Sequence, residues 1–162
     1  MSGKKVLYRG KWYEIQLHID TNRRRARVDL EEDRMLVHTP SRDAECLREA
    51  VERWLIRQAH MILPVRVMHF QQSTGGNVNE IHIKDQKTRW GSCSSKRNLN
   101  FNWRLVMAPP EVLDYVVVHE LSHLTHMNHS RDFWELVGQV MPEYKQMRKW
   151  LRENGHLLKV PA

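Results

Sequence analysis

In the segment His119-Glu120-Leu121-Ser122-His123, two imidazoles stand four residues apart and a carboxylate follows the first of them. On an α-helix that spacing puts both histidines on one face, with about 5–6 Å between their Cβ atoms. Two ring nitrogens so placed can share one zinc ion, or another divalent transition metal, at about 2.0–2.1 Å each. Glu120 then lies where its carboxylate reaches a water on that ion and takes its proton, and zinc polarises the bond to be attacked. Hydrolysis by an activated water is the chemistry this pattern serves. From Val112 to Leu124 the chain is apolar nearly all round, Val116, Val117 and Val118 included, so the helix reads as buried. Ionisable groups in such a place are costly unless something coordinates them. The plainer alternative is a pair of hydrogen-bonded core histidines.

A catalytic zinc takes a third protein ligand and keeps one position open. His129, six residues beyond His123, is the first candidate. It requires Thr125 to Asn128 to turn the chain back, with Asn128 suited to a left-handed conformation. Glu143, twenty residues beyond His123 on a later helix, is the second, and would complete a site of two histidines and a glutamate. His126 is the third: three residues from His123 it reaches the same face, although a helix C-terminus favours a partly protonated imidazole there.

Those residues need elements to hold them. Residues 5 to 38 alternate polar and apolar, as at Tyr13, Ile15, Leu17 and Ile19, with turns near Asp20–Asn22 and Glu31–Asp33. That period predicts short strands in a small antiparallel sheet. Arg23, Arg24, Arg25 and Arg27 read as a solvated edge of it. Ser41 is placed to cap a helix carrying Leu47, Val51, Leu55 and Ile62 at helical spacing, which Pro64 stops or restarts, with a short helical piece to follow. After a break at Gly75 and Gly76, Ile81 with Ile83 and Leu99 with Phe101 predict two strands separated by a polar loop, 87–98. Pro109 and Pro110 suit the start of the motif helix, Ser130 caps the next, and Pro142 opens a last one that stops at Asn154 and Gly155. The class is α+β, divided as an N-terminal β region, 1–40, and a hydrolase region, 41–162, expected to form one unit.

Several separated blocks go further. Arg89-Trp90-Gly91-Ser92-Cys93, Asn102-Trp103-Arg104-Leu105, Ala108-Pro109, the run Tyr115 to Leu124 and the run Asn128 to Trp134 together closely resemble the YgjP-like metallopeptidase family, relatives of the SprT and WLM-type zincins. The resemblance implies a zincin-like (minigluzincin-type) core behind the small β region, zinc on His119, His123 and His129, and Glu120 as the base. Within the first block, Trp90 and Gly91 read as a tight turn beside an apolar anchor. Arg89 either contacts a substrate carboxylate or phosphate or pairs with an acid. Cys93 reads as a small buried hydrophobe, and Trp103, Phe133 and Trp134 as core.

Composition limits the functions left open. With 162 residues the chain can bury a core without metal staples, so a metal is free to serve chemistry. Lys and Arg number 26 against 19 acids, a net +7, and Lys145, Arg148, Lys149 and Arg152 share one face of the last helix. That face reads as solvated, or as a surface for an anionic partner. A zinc metallopeptidase acting on polypeptides is the first function. The alternative is a metal-dependent pyrophosphohydrolase of nucleotides, nucleoside triphosphates such as UTP. A nucleic-acid-binding module with structural zinc is disfavoured by the intact Glu120 and the lack of a fourth ligand. No apolar run suits an export signal or a membrane span, and both cysteines are expected as thiols, so a cytoplasmic location without membrane contact is expected.

Overall fold

The computed structural model describes residues 3–161. Four strands, β1 (Lys5–Tyr8), β2 (Lys11–Ile19), β3 (Arg27–Leu30) and β4 (Arg34–Thr39), build an N-terminal sheet in the order β1-β2-β4-β3. Its two outer pairings are antiparallel as expected, but β2 and β4 run parallel, with Ile15 opposite Met35 and Leu17 opposite Val37. Alternation sets which side chains face inward and carries nothing about strand direction, which is why the central pairing departs from expectation. Ile15, Met35 and Val37 are fully buried.

The first helix, α1 (Ala44–Thr74), is 31 residues long and runs through Pro64 without interruption. Pro64 therefore neither stops nor restarts it. Leu47, Val51, Leu55, Ala59, Leu63 and Val67 are buried along one face, on both sides of the proline. Burial of each larger side chain is worth roughly 1.5–3 kcal/mol, which together exceeds the roughly 3 kcal/mol a helix loses to an interior proline. Asp43, not Ser41, is the N-cap: its Oδ1 accepts the Glu45 N–H at 3.2 Å, while the Ser41 hydroxyl accepts the Asp43 N–H at 3.0 Å. Gly75 ends the helix at φ 75°.

A second sheet follows, of β5 (Glu80–Lys84), β6 (Gly91–Cys93) and β7 (Asn98–Asn102) in the order β5-β7-β6. β5 lies parallel to β7 and β6 antiparallel to it. The expected polar loop thus contains an edge strand, too short at three residues to show alternation. A buried 3-10 turn, Trp103–Met107, leads to α2 (Pro110–Ser122), then α3 (Arg131–Val140) and α4 (Tyr144–Asn154). The Arg9 and Gly10 N–H groups donate to the Val106 and Met107 carbonyls at 2.9 and 3.0 Å, tying the N-terminal hairpin to that turn. Arg66 of α1 holds Asp114 of α2 through two bonds of 2.8 and 2.9 Å. No helix among the described residues is long and apolar enough to cross a membrane.

Candidate active site

The site is built on the last turn of α2. Pro110 opens that helix at a position where a missing N–H costs nothing, and Val112, Leu113, Val116, Val117 and Val118 bury it on several sides. Its C-terminal end opens onto a cleft. There His119 is half-buried and Glu120 is 5% exposed. His123 is the C-cap and is also buried.

The chain turns back after His123 through successive tight bonds: Leu124 N–H to the Leu121 carbonyl at 3.0 Å and Thr125 N–H to that of Ser122 at 3.2 Å. Asn128 is not left-handed; among the described residues the only non-glycines with positive φ are Arg9 and Arg97. This turn delivers His129, and Ser130 then caps α3 as expected, its hydroxyl accepting the Phe133 N–H at 3.3 Å. His119, His123 and His129 offer ring nitrogens that all lie within 4.8 Å of one another, a set able to hold a metal ion. Glu143 is exposed at the start of α4 and contributes no atom to that cluster.

His126 contributes by its backbone. Its carbonyl lies 3.0 Å from His123 Nδ1. A carbonyl only accepts, so that nitrogen carries the hydrogen and Nε2 keeps its lone pair. His123 Nε2 faces His129 Nε2 at 3.1 Å. Desolvation first, then the neighbouring His123 and His119, hold His129 below the ordinary imidazole value, so its ring is neutral near pH 7. Two imidazole nitrogens facing each other across 3.1 Å, with a third ring alongside, are a donor set that suits a borderline-soft cation.

Two residues that read as core turn out to hold these rings. Phe133 stacks on His123 with ring centres 4.4 Å apart and planes at 21°, and Trp134 stacks on His129 at 5.9 Å and 23°. Tyr144 backs Trp134 at 5.3 Å, and the Arg148 guanidinium lies 4.5 Å from the centre of the same indole. Adjacent aromatic residues immediately after a histidine-bearing turn are the signal that sequence reasoning passed over.

Glu120 Oε2 lies 3.1 Å from His119 Nδ1. Beside it opens a cleft of about 340 Å³ lined by Trp90, Tyr115, His119, Glu120, Arg148 and Arg152 among others. Burial pushes the Tyr115 phenol far up, so it stays protonated and can donate; one helical turn before His119, it is a site residue that sequence reasoning did not single out. Arg148 and Arg152, read from sequence as part of a solvated face, stand on the cleft wall. Arg89 does not line this cleft. It is exposed in an adjoining cavity with Thr88 and Arg104, and Trp90 lines both. Cys93, read as a small buried hydrophobe, is half-buried, and burial followed by the charge of Glu120 raises its thiol.

The chain matches the family model described as YgjP-like, metallopeptidase domain, over residues 1–154. It belongs to the YgjP-like metallopeptidase domain family. A family of metallopeptidases agrees with a histidine cluster able to take a metal ion, and marks the chain as a metal-dependent hydrolase of metallopeptidase type. Among solved structures, the metallopeptidase zymogen of Pyrococcus abyssi abylysin aligns at 21% identity with a TM-score of 0.53, covering 62% of this chain and 100% of that one. The likeness is one of fold, and with it this YgjP-like chain has an α+β, zincin-like core. An Escherichia coli (strain K12) protein named UTP pyrophosphatase is 28% identical over 81 residues, 48% of this chain and 48% of its own length. The match therefore spans about half the length of that relative.

Proposed function

We propose that this protein is a zinc-dependent peptidase in which His119, His123 and His129 bind the metal and Glu120 is the general base. The observation that carries the reading is the convergence of three imidazoles within 4.8 Å beside a carboxylate that is 5% exposed. Imidazole donors suit zinc among the available divalent ions, whereas magnesium and calcium take oxygen ligands. A zinc ion held there would activate a water and polarise the scissile carbonyl. Glu120 takes the proton of the attacking water on a carboxylate oxygen and returns it to the leaving amine. Its burial keeps competing water from that oxygen. Tyr115, protonated and facing the cleft, donates a hydrogen bond to the substrate. Trp90 supplies an apolar wall. Segments 1–40 and 41–162 act as one unit, supported by the bonds from Arg9 and Gly10 to the 3-10 turn. The free thiols of Cys46 and Cys93 support a reducing, cytoplasmic setting.

A second reading has its own observation. Arg148 and Arg152 stand one turn apart on the cleft that Glu120 lines, where two guanidinium groups would meet the phosphates of a nucleotide. A nucleoside triphosphate pyrophosphohydrolase would use the same base and metal, and the name of the Escherichia coli relative points the same way. Wild type and Glu120→Gln are to be run side by side against denatured proteins, peptides and a panel of nucleoside triphosphates. Turnover of peptides that disappears in Glu120→Gln is the expected result. Glu120-dependent turnover confined to triphosphates establishes the second reading in its place.

A further inference from the structure

Away from the cleft, and sharing no residue with it, a cavity of about 480 Å³ lies where the β2–β3 connection, the end of β4 and α1 meet. Arg24 and Arg25 come to it from the connection, and Arg53 and Arg57 from α1. Three separate stretches of chain are needed to assemble it, so the convergence is a product of the fold and not of a charge run.

We propose that this cavity binds a ligand carrying adjacent phosphate groups. Arg27, Arg34, Arg48, Arg66, Arg104 and Arg131 each form an ion pair with a carboxylate. No such pair is made by Arg24, Arg25, Arg53 or Arg57 among the described residues, although Glu49 lines the same cavity. Four arginines thus line the cavity with one acid. Arg53 and Arg57 are moreover one helical turn apart, a like-charge arrangement that disfavours a free helix and that a bound anion turns to advantage. The guanidinium fork matches two phosphate oxygens at once, which favours phosphate over chloride or a lone carboxylate. No aromatic residue lines the cavity; its apolar surface is Ala26, Pro40 and Ala50. There is accordingly no platform on which a base would stack, and recognition falls on the phosphates themselves. A volume of about 480 Å³ is in the range of small-ligand pockets and takes a short polyphosphate or a few linkages of a nucleic-acid backbone.

Binding of inorganic triphosphate and, separately, of a short single-stranded oligodeoxythymidine is to be measured by calorimetry at about 0.15 M salt. Wild type is compared with Arg53→Ala/Arg57→Ala, Arg24→Ala/Arg25→Ala and a control of equal charge change at two exposed lysines that line neither cavity nor cleft, Lys96→Ala/Lys159→Ala. Each arginine pair sits at the surface, so both variants should melt as wild type does, and the loop pair tests the cavity independently of the helix. The expected result is at least a tenfold loss of affinity in both arginine variants and less than a twofold loss in the lysine control. Whether triphosphate, the oligonucleotide or both are affected identifies the source of the phosphates. Undiminished binding in the arginine variants, equal loss in the lysine control, or no binding of either probe to wild type overturns the proposal.

Discussion

Gly91 lies directly against Glu120. A Cβ built on Gly91 would meet Glu120 Cγ at 3.0 Å, Glu120 Oε2 at 3.1 Å and the Asn100 carbonyl oxygen at 3.1 Å. The residue's φ is not in the left-handed region, so no conformational demand calls for glycine here; the demand is for space. One of the three contacts is backbone and cannot yield, which leaves the carboxylate to move. Gly91→Ala should therefore lower kcat/KM by roughly 10–100-fold through displacement of the base, while metal content and melting temperature change little. Steady-state kinetics beside metal analysis checks this, and wild-type turnover in the variant would show that Glu120 has slack.

The proposed zinc site takes His129 as its third ligand, because His129 offers a ring nitrogen within 4.8 Å of those of His119 and His123 and Glu143 does not join that cluster. His129→Ala should weaken zinc binding by more than about 100-fold, beyond the range seen for residues that only support a ligand. Glu143→Ala should retain the ion, as read by metal content after dialysis against a mild chelator. Loss of metal in the second variant alone would move the ligand to α4.

Phe133 and Trp134 supply the surfaces on which His123 and His129 rest, with ring planes at 21° and 23°. Phe133→Leu keeps an apolar side chain in a fully buried position but removes the flat face. A cost of about 1–1.5 kcal/mol in stability is expected. Zinc affinity should fall further, by about tenfold, because the His123 ring loses the stacked face that, with the His126 carbonyl, helps orient it. Melting curves with and without metal separate the two effects; equal loss in both states would make Phe133 packing alone.

How much of this could be read in the residues depends on how far apart the interacting groups lie. His119, Glu120 and His123 belong to two turns of one helix, and Pro110 and Ser130 act within three residues of themselves, so their roles follow from local geometry. The parallel pairing of β2 with β4 joins segments across an intervening strand, and β6 has no period to show. Arg148 and Arg152 looked like any basic helix face because the packing of α4 on α2, which turns them to the cleft, is not encoded in their spacing. Arg89, next to Trp90 in sequence, lines a different cavity from the cleft that Trp90 also borders.

Pro64 tests the same point energetically. Lacking an N–H, it leaves the His60 carbonyl without its helical partner, yet Leu63 and Val67 are buried around it and the helix continues. Pro64→Ala restores that bond and relieves a penalty of about 3 kcal/mol. Against this, the more flexible unfolded chain gains about 0.4–1 kcal/mol of entropy. The helix term is the larger, so the variant should be more stable by about 2 kcal/mol, seen as a higher urea midpoint at unchanged slope. A lower midpoint would mean that the pyrrolidine ring, half-buried on α1, packs better than its backbone cost suggests.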